Sequence, residues 1–109
     1  MHELSITQSL FDAVSERTGE LSVTGVNVRV GRLSGVLPDA MRFCFELICA
    51  GTSLANAELR IEEPDGRALC RSCGEEFVLP DAILLCSCGS ADLEIIAGRE
   101  LMLTSVEVA

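Results

Sequence analysis

The chain has 109 residues, enough for one ordinary domain or for one small core with a staple. Hydrophobic residues make up 49% of it, which argues against a disordered chain, and with four Phe and no Trp or Tyr the core must come from Val, Leu, Ile and Ala. The net charge of −9, in which every basic residue is Arg, argues against nucleic-acid binding because phosphate backbones would repel the chain.

The first third of the chain predicts a helix and then a strand. Residues 4 to 18 place apolar side chains at helical spacing, and Gly19 follows as a natural stop. Residues 22 to 33 alternate valines with polar residues, which is typical of a strand with one buried face. The helical stripe is Ile6, Leu10 and Val14, with Phe11 beside it; the alternating valines are Val26, Val28 and Val30.

A second helix and a second strand follow. Pro38 fits the first turn of a helix that runs to about Ala50, and residues 57 to 63 alternate again as a strand. The apolar stripe of this helix is Met41, Phe45 and Ile48, broadened by Cys44 and Leu47.

The end of the chain predicts a third strand. Residues 101 to 108 alternate, with Leu101, Leu103 and Ser105 expected on one face and Met102, Thr104, Val106 and Val108 on the other. Such a strand needs a partner, and the earlier strands are the available ones. The Cys-rich segment between is therefore an insertion, and the predicted fold is α+β: two helices packed on a three-stranded sheet, with an inserted lobe.

Neither end of the chain resembles an address signal, and no apolar run approaches the length needed to span a bilayer. These observations predict a soluble, cytoplasmic protein without membrane contact. In that compartment thiols stay reduced, so six cysteines indicate metal or redox chemistry rather than disulfides.

Four of the cysteines form two close pairs, Cys70 with Cys73 and Cys86 with Cys88. Two such turns facing each other would place four sulfur atoms around one point, which suits tetrahedral Zn(II). The metal would stabilise a segment too short to bury its own core. The second pair is Cys-x-Cys, so its turn must be tighter than the first, and we expect somewhat weaker or more exchangeable zinc there.

A redox Cys-x-x-Cys is the alternative interpretation of the first pair. Its usual setting places the first cysteine at the start of a helix, and no helix is predicted after Cys73. The remaining two thiols, Cys44 and Cys49, lie five positions apart in the second predicted helix and are expected to be small buried side chains.

The only histidine of the chain is residue 2. With the initiator Met retained, the α-amine of Met1, the backbone nitrogen of His2 and its imidazole Nδ1 could close two fused chelate rings on one metal ion. The side chain or amide of Glu3 would offer a fourth donor. Planar nitrogen donors favour Ni(II) or Cu(II) over Zn(II), and affinity should rise with pH because an amide proton must leave.

Taken together, these residues resemble the HypA/HybF family of nickel-insertion chaperones for hydrogenase maturation. The resemblance covers nearly the whole chain. It is carried by residues 1–6, 28–36, 43–47, 70–74 and 98–101. The start and the cysteine pairs are specific in combination, whereas neither is specific alone.

The resemblance implies a nickel-binding α/β domain, residues 1–64 plus 99–109, and a zinc-ribbon domain, residues 65–98. It implies that Met1, His2 and Glu3 bind a transferable Ni(II). It also implies that the cysteines hold a structural Zn(II), although the family usually has Cys-Pro-x-Cys where this chain has Cys86-Ser87-Cys88.

The implied partners are a GTPase that takes part in nickel insertion and the hydrogenase large subunit; some family members also serve urease. Dimers occur in the family, and the sequence does not fix the oligomeric state. No catalytic triad or phosphate-binding loop is present, so we expect a binding protein and not an enzyme. The competing hypotheses are a zinc-ribbon interaction module without a nickel role, and a thiol redox enzyme.

Overall fold

The computed structural model describes residues 2–109; Met1, predicted as a nickel ligand, lies outside the described residues. The two predicted helices are α1 (Glu3–Thr18) and α2 (Pro38–Cys49). The strands in chain order are β1 (Val23–Val30), β2 (Glu58–Glu62), β3 (Gly66–Cys70), β4 (Glu76–Leu79), β5 (Leu93–Ala97) and β6 (Leu101–Val108).

The first sheet has the strand order β2-β1-β6, so the last strand of the chain returns beside the first, as predicted. Helix α2 connects β1 to β2, and these two strands are parallel. Strand β6 runs antiparallel to β1 along the other edge. The predicted α+β fold, with two helices on a three-stranded sheet and an inserted lobe, is confirmed.

The hydrophobic core lies between this sheet and the two helices. Its side chains are mainly Val, Leu and Ile, together with Met41, Phe45 and Cys49 from α2. The predicted stripe of α2 is wrong at Leu47, whose side chain is 61% exposed, because the helix turns Cys49 rather than Leu47 toward the sheet. Helix α1 contributes the fully buried Val14, with the predicted Ile6, Leu10 and Phe11 partly buried against the core.

The predicted alternation of β6 is correct in its first half and wrong in its second. The register pairs Val28 with Leu103 but Asn27 with Ser105, which leaves Thr104 as an extra residue in the strand. A bulge of this kind moves every later side chain to the opposite face. Val106 therefore shares the core face with Leu103, and Ser105 is exposed.

The inserted lobe contains a second sheet with the order β4-β3-β5, in which all neighbours are antiparallel. It buries only a few side chains, namely Ala68, Cys70, Leu79 and Cys86. Half of these are cysteines, as expected for a unit that needs a metal staple.

The loop between β1 and α2, residues 31–37, forms hydrogen bonds with both chain segments that connect the first sheet to the lobe. The backbone N–H of Arg32 donates to the carbonyl oxygen of Pro64 at 3.0 Å, and that of Leu33 donates to Gly98 at 2.7 Å. The Arg32 guanidinium also pairs with Asp65 at 2.7 Å. The loop thus holds the inserted lobe against the first sheet.

Candidate metal centres

The sulfur atoms of Cys70, Cys73, Cys86 and Cys88 lie within 4.8 Å of one another, so the fold brings the two predicted pairs together. Within this cluster, the sulfur of Cys70 lies 3.7 Å from that of Cys88, and the sulfur of Cys73 lies 3.7 Å from that of Cys86. Among the described residues, this is the one group of three or more His, Cys, Asp or Glu ligands close enough to hold a metal ion.

These distances fit one tetrahedral zinc ion. Zinc–thiolate bonds of about 2.3 Å in a regular tetrahedron separate the sulfur atoms by roughly 3.8 Å. The spacings between the pairs are close to that value and far longer than the roughly 2 Å of a disulfide bond. The donor set, four thiols and nothing else, is the one that structural zinc prefers.

Two tight turns present the thiols. In the first, Gly74 has a φ of +76° and its N–H donates to the carbonyl oxygen of Cys70 at 2.8 Å. In the second, Gly89 has a φ of +92° and its N–H donates to the carbonyl oxygen of Cys86 at 2.9 Å. A residue with a Cβ would be strained at both glycines. The shortened Cys-x-Cys pair still delivers both of its sulfur atoms to the cluster.

Backbone N–H groups stabilise negative charge on the sulfur atoms. The amide of Cys73 lies 3.5 Å from the sulfur of Cys70, and this hydrogen bond, with a second from Ser72, lowers the pKa of the Cys70 thiol to about 6. In the second turn the amide of Ser90 also acts to lower the pKa of Cys88, but the neighbouring thiols of Cys86 and Cys70 outweigh it and raise that pKa overall. Cys70 is therefore poised to bind a metal as a thiolate near neutral pH.

The two remaining cysteines lie in α2, away from the cluster. Cys49 is buried, and burial raises the pKa of its thiol to about 11. Cys44 is half-buried. The expectation that both are buried core residues is thus met fully by Cys49 and partly by Cys44.

The second candidate centre is the start of the chain, where His2 is exposed to solvent. His2 precedes α1 and its side chain makes no capping hydrogen bond, while its carbonyl oxygen accepts from the N–H of Ile6 at 3.0 Å. His2 and Glu3 line an open hollow whose opposite wall is formed by Ala40, Phe43 and Cys44 of α2. The imidazole is therefore accessible to a metal ion from solvent.

Glu3 contacts the beginning of α2. Its carboxylate oxygen Oε2 accepts a hydrogen bond from the backbone N–H of Leu37 at 3.2 Å. That bond is the main cause that holds the pKa of the Glu3 carboxyl below its ordinary value. Sequence reasoning missed Leu37, since a backbone donor 34 positions away leaves no pattern in the sequence.

An α+β fold with a four-thiol cluster in one lobe and an exposed histidine beside the chain start defines a small metal-binding protein. A family model described as "Hydrogenase/urease nickel incorporation, metallochaperone, hypA" matches residues 1–108. The chain belongs to this HypA family of nickel metallochaperones, as the resemblance predicted.

Curated relatives agree with this assignment. The hydrogenase maturation factor HypA of a Nostoc species is 44% identical over 108 residues, covering 99% of this chain and 96% of the relative. The protein of the same name from Desulfatibacillum aliphaticivorans is 43% identical, covering 100% of this chain and 88% of the relative.

Among solved structures, the solution structure of the Ni metallochaperone HypA from Helicobacter pylori superposes with a TM-score of 0.66 at 24% identity. The superposition covers 99% of this chain and 97% of that one, so the two proteins share the fold. Neither helix in the described part of the chain combines the length and the apolar character that a membrane span requires.

Proposed function

We propose that this protein binds Ni(II) at its amino terminus and delivers the ion during maturation of [NiFe] hydrogenase. The observation that carries the proposal is the position of His2, ahead of the first helical residue and exposed to solvent. Its imidazole and backbone nitrogen take no part in the helix and are available to a metal. The α-amine of Met1 is the third nitrogen of the proposed site. Glu3, the next residue, completes the set of proposed nickel-binding residues through its side chain or its backbone amide.

The cysteine cluster supplies the second part of the proposal, a closed and structural Zn(II) site. All four donors come from the protein, which leaves no open coordination position for a substrate. Zinc would stabilise the zinc-ribbon domain, proposed as residues 65–98, while residues 1–64 plus 99–109 form the nickel-binding domain. Nickel is the ion that the protein would transfer, so we expect its site to be exposed. Zinc would remain bound as part of the structure.

The proposed function requires partners. The family relatives are named for hydrogenase maturation, and the family description includes urease. We propose the hydrogenase large subunit as the destination and a GTPase as the partner that supplies nucleotide hydrolysis, with urease as a second destination. The protein itself would act as a cytoplasmic binding protein, without catalysis.

A nickel titration of three forms of the chain tests the amino-terminal site. The native chain should bind one Ni(II), whereas His2→Ala and a form with an acetylated α-amine should each lose at least about tenfold in affinity, because each removes a nitrogen donor together with its chelate ring. Affinity of the native chain should increase from pH 6 to pH 8, since binding releases the amide proton.

Zinc content serves as the internal control, since all three forms should retain one equivalent. Equal nickel binding by the three forms would remove the amino-terminal site from the proposal. It would favour a zinc-ribbon interaction module without a nickel role instead.

A further inference from the structure

The carboxylate of Glu3 lies at the amino ends of both helices. Glu3 is the first residue of α1, and its Oε2 accepts the hydrogen bond from Leu37, the residue that caps α2. The amino end of a helix carries a partial positive charge, so an anion is stabilised there. The bond joins residues 34 positions apart and fixes the first turn of α1 against the first turn of α2.

Helix α2 lacks a capping acceptor of its own at its amino end. Its capping residue is Leu37, whose side chain makes no capping hydrogen bond, and Pro38 at the first helical position has no N–H to donate. The Leu37 N–H is the donor that faces α1, and the Glu3 carboxylate accepts it. A residue of one helix thus performs the capping task of the other.

The same contact connects the chain start to the loop of residues 31–37. At its far end this loop is held by the bonds of Arg32 and Leu33 to the two segments that lead into the lobe. At its near end Leu37 is held by Glu3. The residue beside the proposed nickel ligand His2 is therefore anchored to the loop that holds the inserted lobe.

We propose that Glu3 is a positioning residue, whose carboxylate ties the nickel-binding start of the chain to Leu37 rather than coordinating the metal. This inference rests on the proposed function and assigns a role within that site. The bond to Leu37 engages one oxygen of this carboxylate, Oε2, at the amino ends of both helices. Held where it is, the carboxylate orients His2 by fixing the first turn of α1.

Four variants separate positioning from coordination. Glu3→Ala removes the acceptor, and Leu37→Pro removes the donor while leaving the carboxylate in place; the φ of −88° and ψ of 118° at Leu37 lie near the region that proline adopts. Glu3→Gln keeps a neutral acceptor. Leu37→Ala keeps the donor and is the matched control, because the Leu37 side chain is 63% exposed.

For a positioning role we expect Glu3→Ala and Leu37→Pro to weaken Ni(II) binding equally, by about threefold to tenfold, the range of one net hydrogen bond. Glu3→Gln and Leu37→Ala should bind like the native chain. The visible absorption band of bound Ni(II) should keep its wavelength in all four, since the donor atoms are unchanged. The double variant Glu3→Ala/Leu37→Pro should lose no more than either single one.

Coordination would give the opposite pattern, and it would overturn the inference. Both Glu3→Ala and Glu3→Gln would then shift the nickel band and weaken binding, whereas Leu37→Pro would match the native chain. Native affinity in both Glu3→Ala and Leu37→Pro would overturn it as well.

A measurement without nickel keeps this test separate from the proposed function. Hydrogen exchange of the Leu37 amide in the metal-free site should become faster in Glu3→Ala and stay slow in Glu3→Gln, with zinc content unchanged. An unaltered exchange rate in Glu3→Ala would contradict the hydrogen bond between Glu3 and Leu37. If His2→Ala binds nickel like the native chain, the amino-terminal site fails, while the exchange result still decides whether Glu3 holds Leu37.

Discussion

Gly31 shows how one residue determines the junction between the two sheets. Its N–H donates to the carbonyl oxygen of Glu100 at 2.8 Å, and a Cβ placed on it would overlap the backbone carbonyl of Gly98. The neighbouring Gly98 has a φ of +108°, and a Cβ there would lie 2.5 Å from the Cα of Gly66. Three backbone segments approach so closely that side chains are excluded at their contact.

Replacement of Gly31 by Ala should therefore destabilise the protein by about 1–3 kcal/mol, because backbone atoms of Gly98 and Arg99 must shift to admit the methyl group. Gly25→Ala is the matched control in the same part of the chain. Its Cβ would meet the ends of the flexible Arg60 and Glu107 side chains, so the loss should stay below about 1 kcal/mol. Chemical unfolding of both variants measures the difference, and equal losses would contradict the backbone contact.

At the scale of the element, the bulge at Thr104 decides which residues of β6 face the core. Its hydroxyl donates to the carbonyl oxygen of Asn27 at 3.0 Å, which holds the extra residue in place. Before the bulge, Leu103 faces the helices; after it, Val106 does. The strand therefore presents apolar side chains to one core at a spacing of three, where a regular strand would need two or four.

Two valines that follow the bulge, Val106 and Val108, lie on the same face of β6 but differ in burial, so we expect unequal effects of their substitution. Val106→Ala should lower the free energy of unfolding by about 1–2 kcal/mol, since Val106 packs against the core. Val108→Ala should cost less than about 0.5 kcal/mol, because its side chain is 45% exposed. Urea denaturation of the two variants checks this, and an equal or larger loss for Val108 would contradict the difference in burial.

The whole molecule is elongated, measuring 53 × 21 × 17 Å. Its radius of gyration of 16.9 Å exceeds the roughly 13 Å of a compact domain of this length. The two sheets share no strand and meet chiefly through the loop of residues 31–37. Each lobe must therefore obtain most of its stability internally, one from the helix–sheet core and the other from the cysteine cluster.

Loss of one cysteine should accordingly unfold the lobe and spare the first sheet. In Cys86→Ser we expect loss of the proposed zinc ion and fast hydrogen exchange in β3, β4 and β5, because metal binding would supply the folding energy of that unit. Amides of β1 and α1 should stay protected.

Cys44→Ser, outside the cluster, is the matched control and should keep zinc and protection throughout. Treatment with a strong chelator should reproduce the pattern of Cys86→Ser. Loss of protection across both sheets in Cys86→Ser would show that the lobes fold as one unit.

The sequence by itself determined both helices, the three strands of the first sheet, the return of the chain end to that sheet, and the grouping of the four cysteines. The helices, strands and cysteine pairs follow from periodicity, turn residues and ligand spacing, which are read over a few neighbouring positions. The return of the chain end follows because an alternating strand needs a partner. Periodicity placed Val26, Val28 and Val30 on one buried face, and the structure confirms it.

Only the tertiary structure decided the parallel pairing of β1 with β2, the bulge at Thr104, the close glycine contact and the bond between Glu3 and Leu37. Each of these depends on a backbone group for at least one partner, and because every residue has a backbone, the sequence does not identify which residue that partner is. Partners far apart along the chain become neighbours only when packing of the apolar faces fixes where the strands and helices lie.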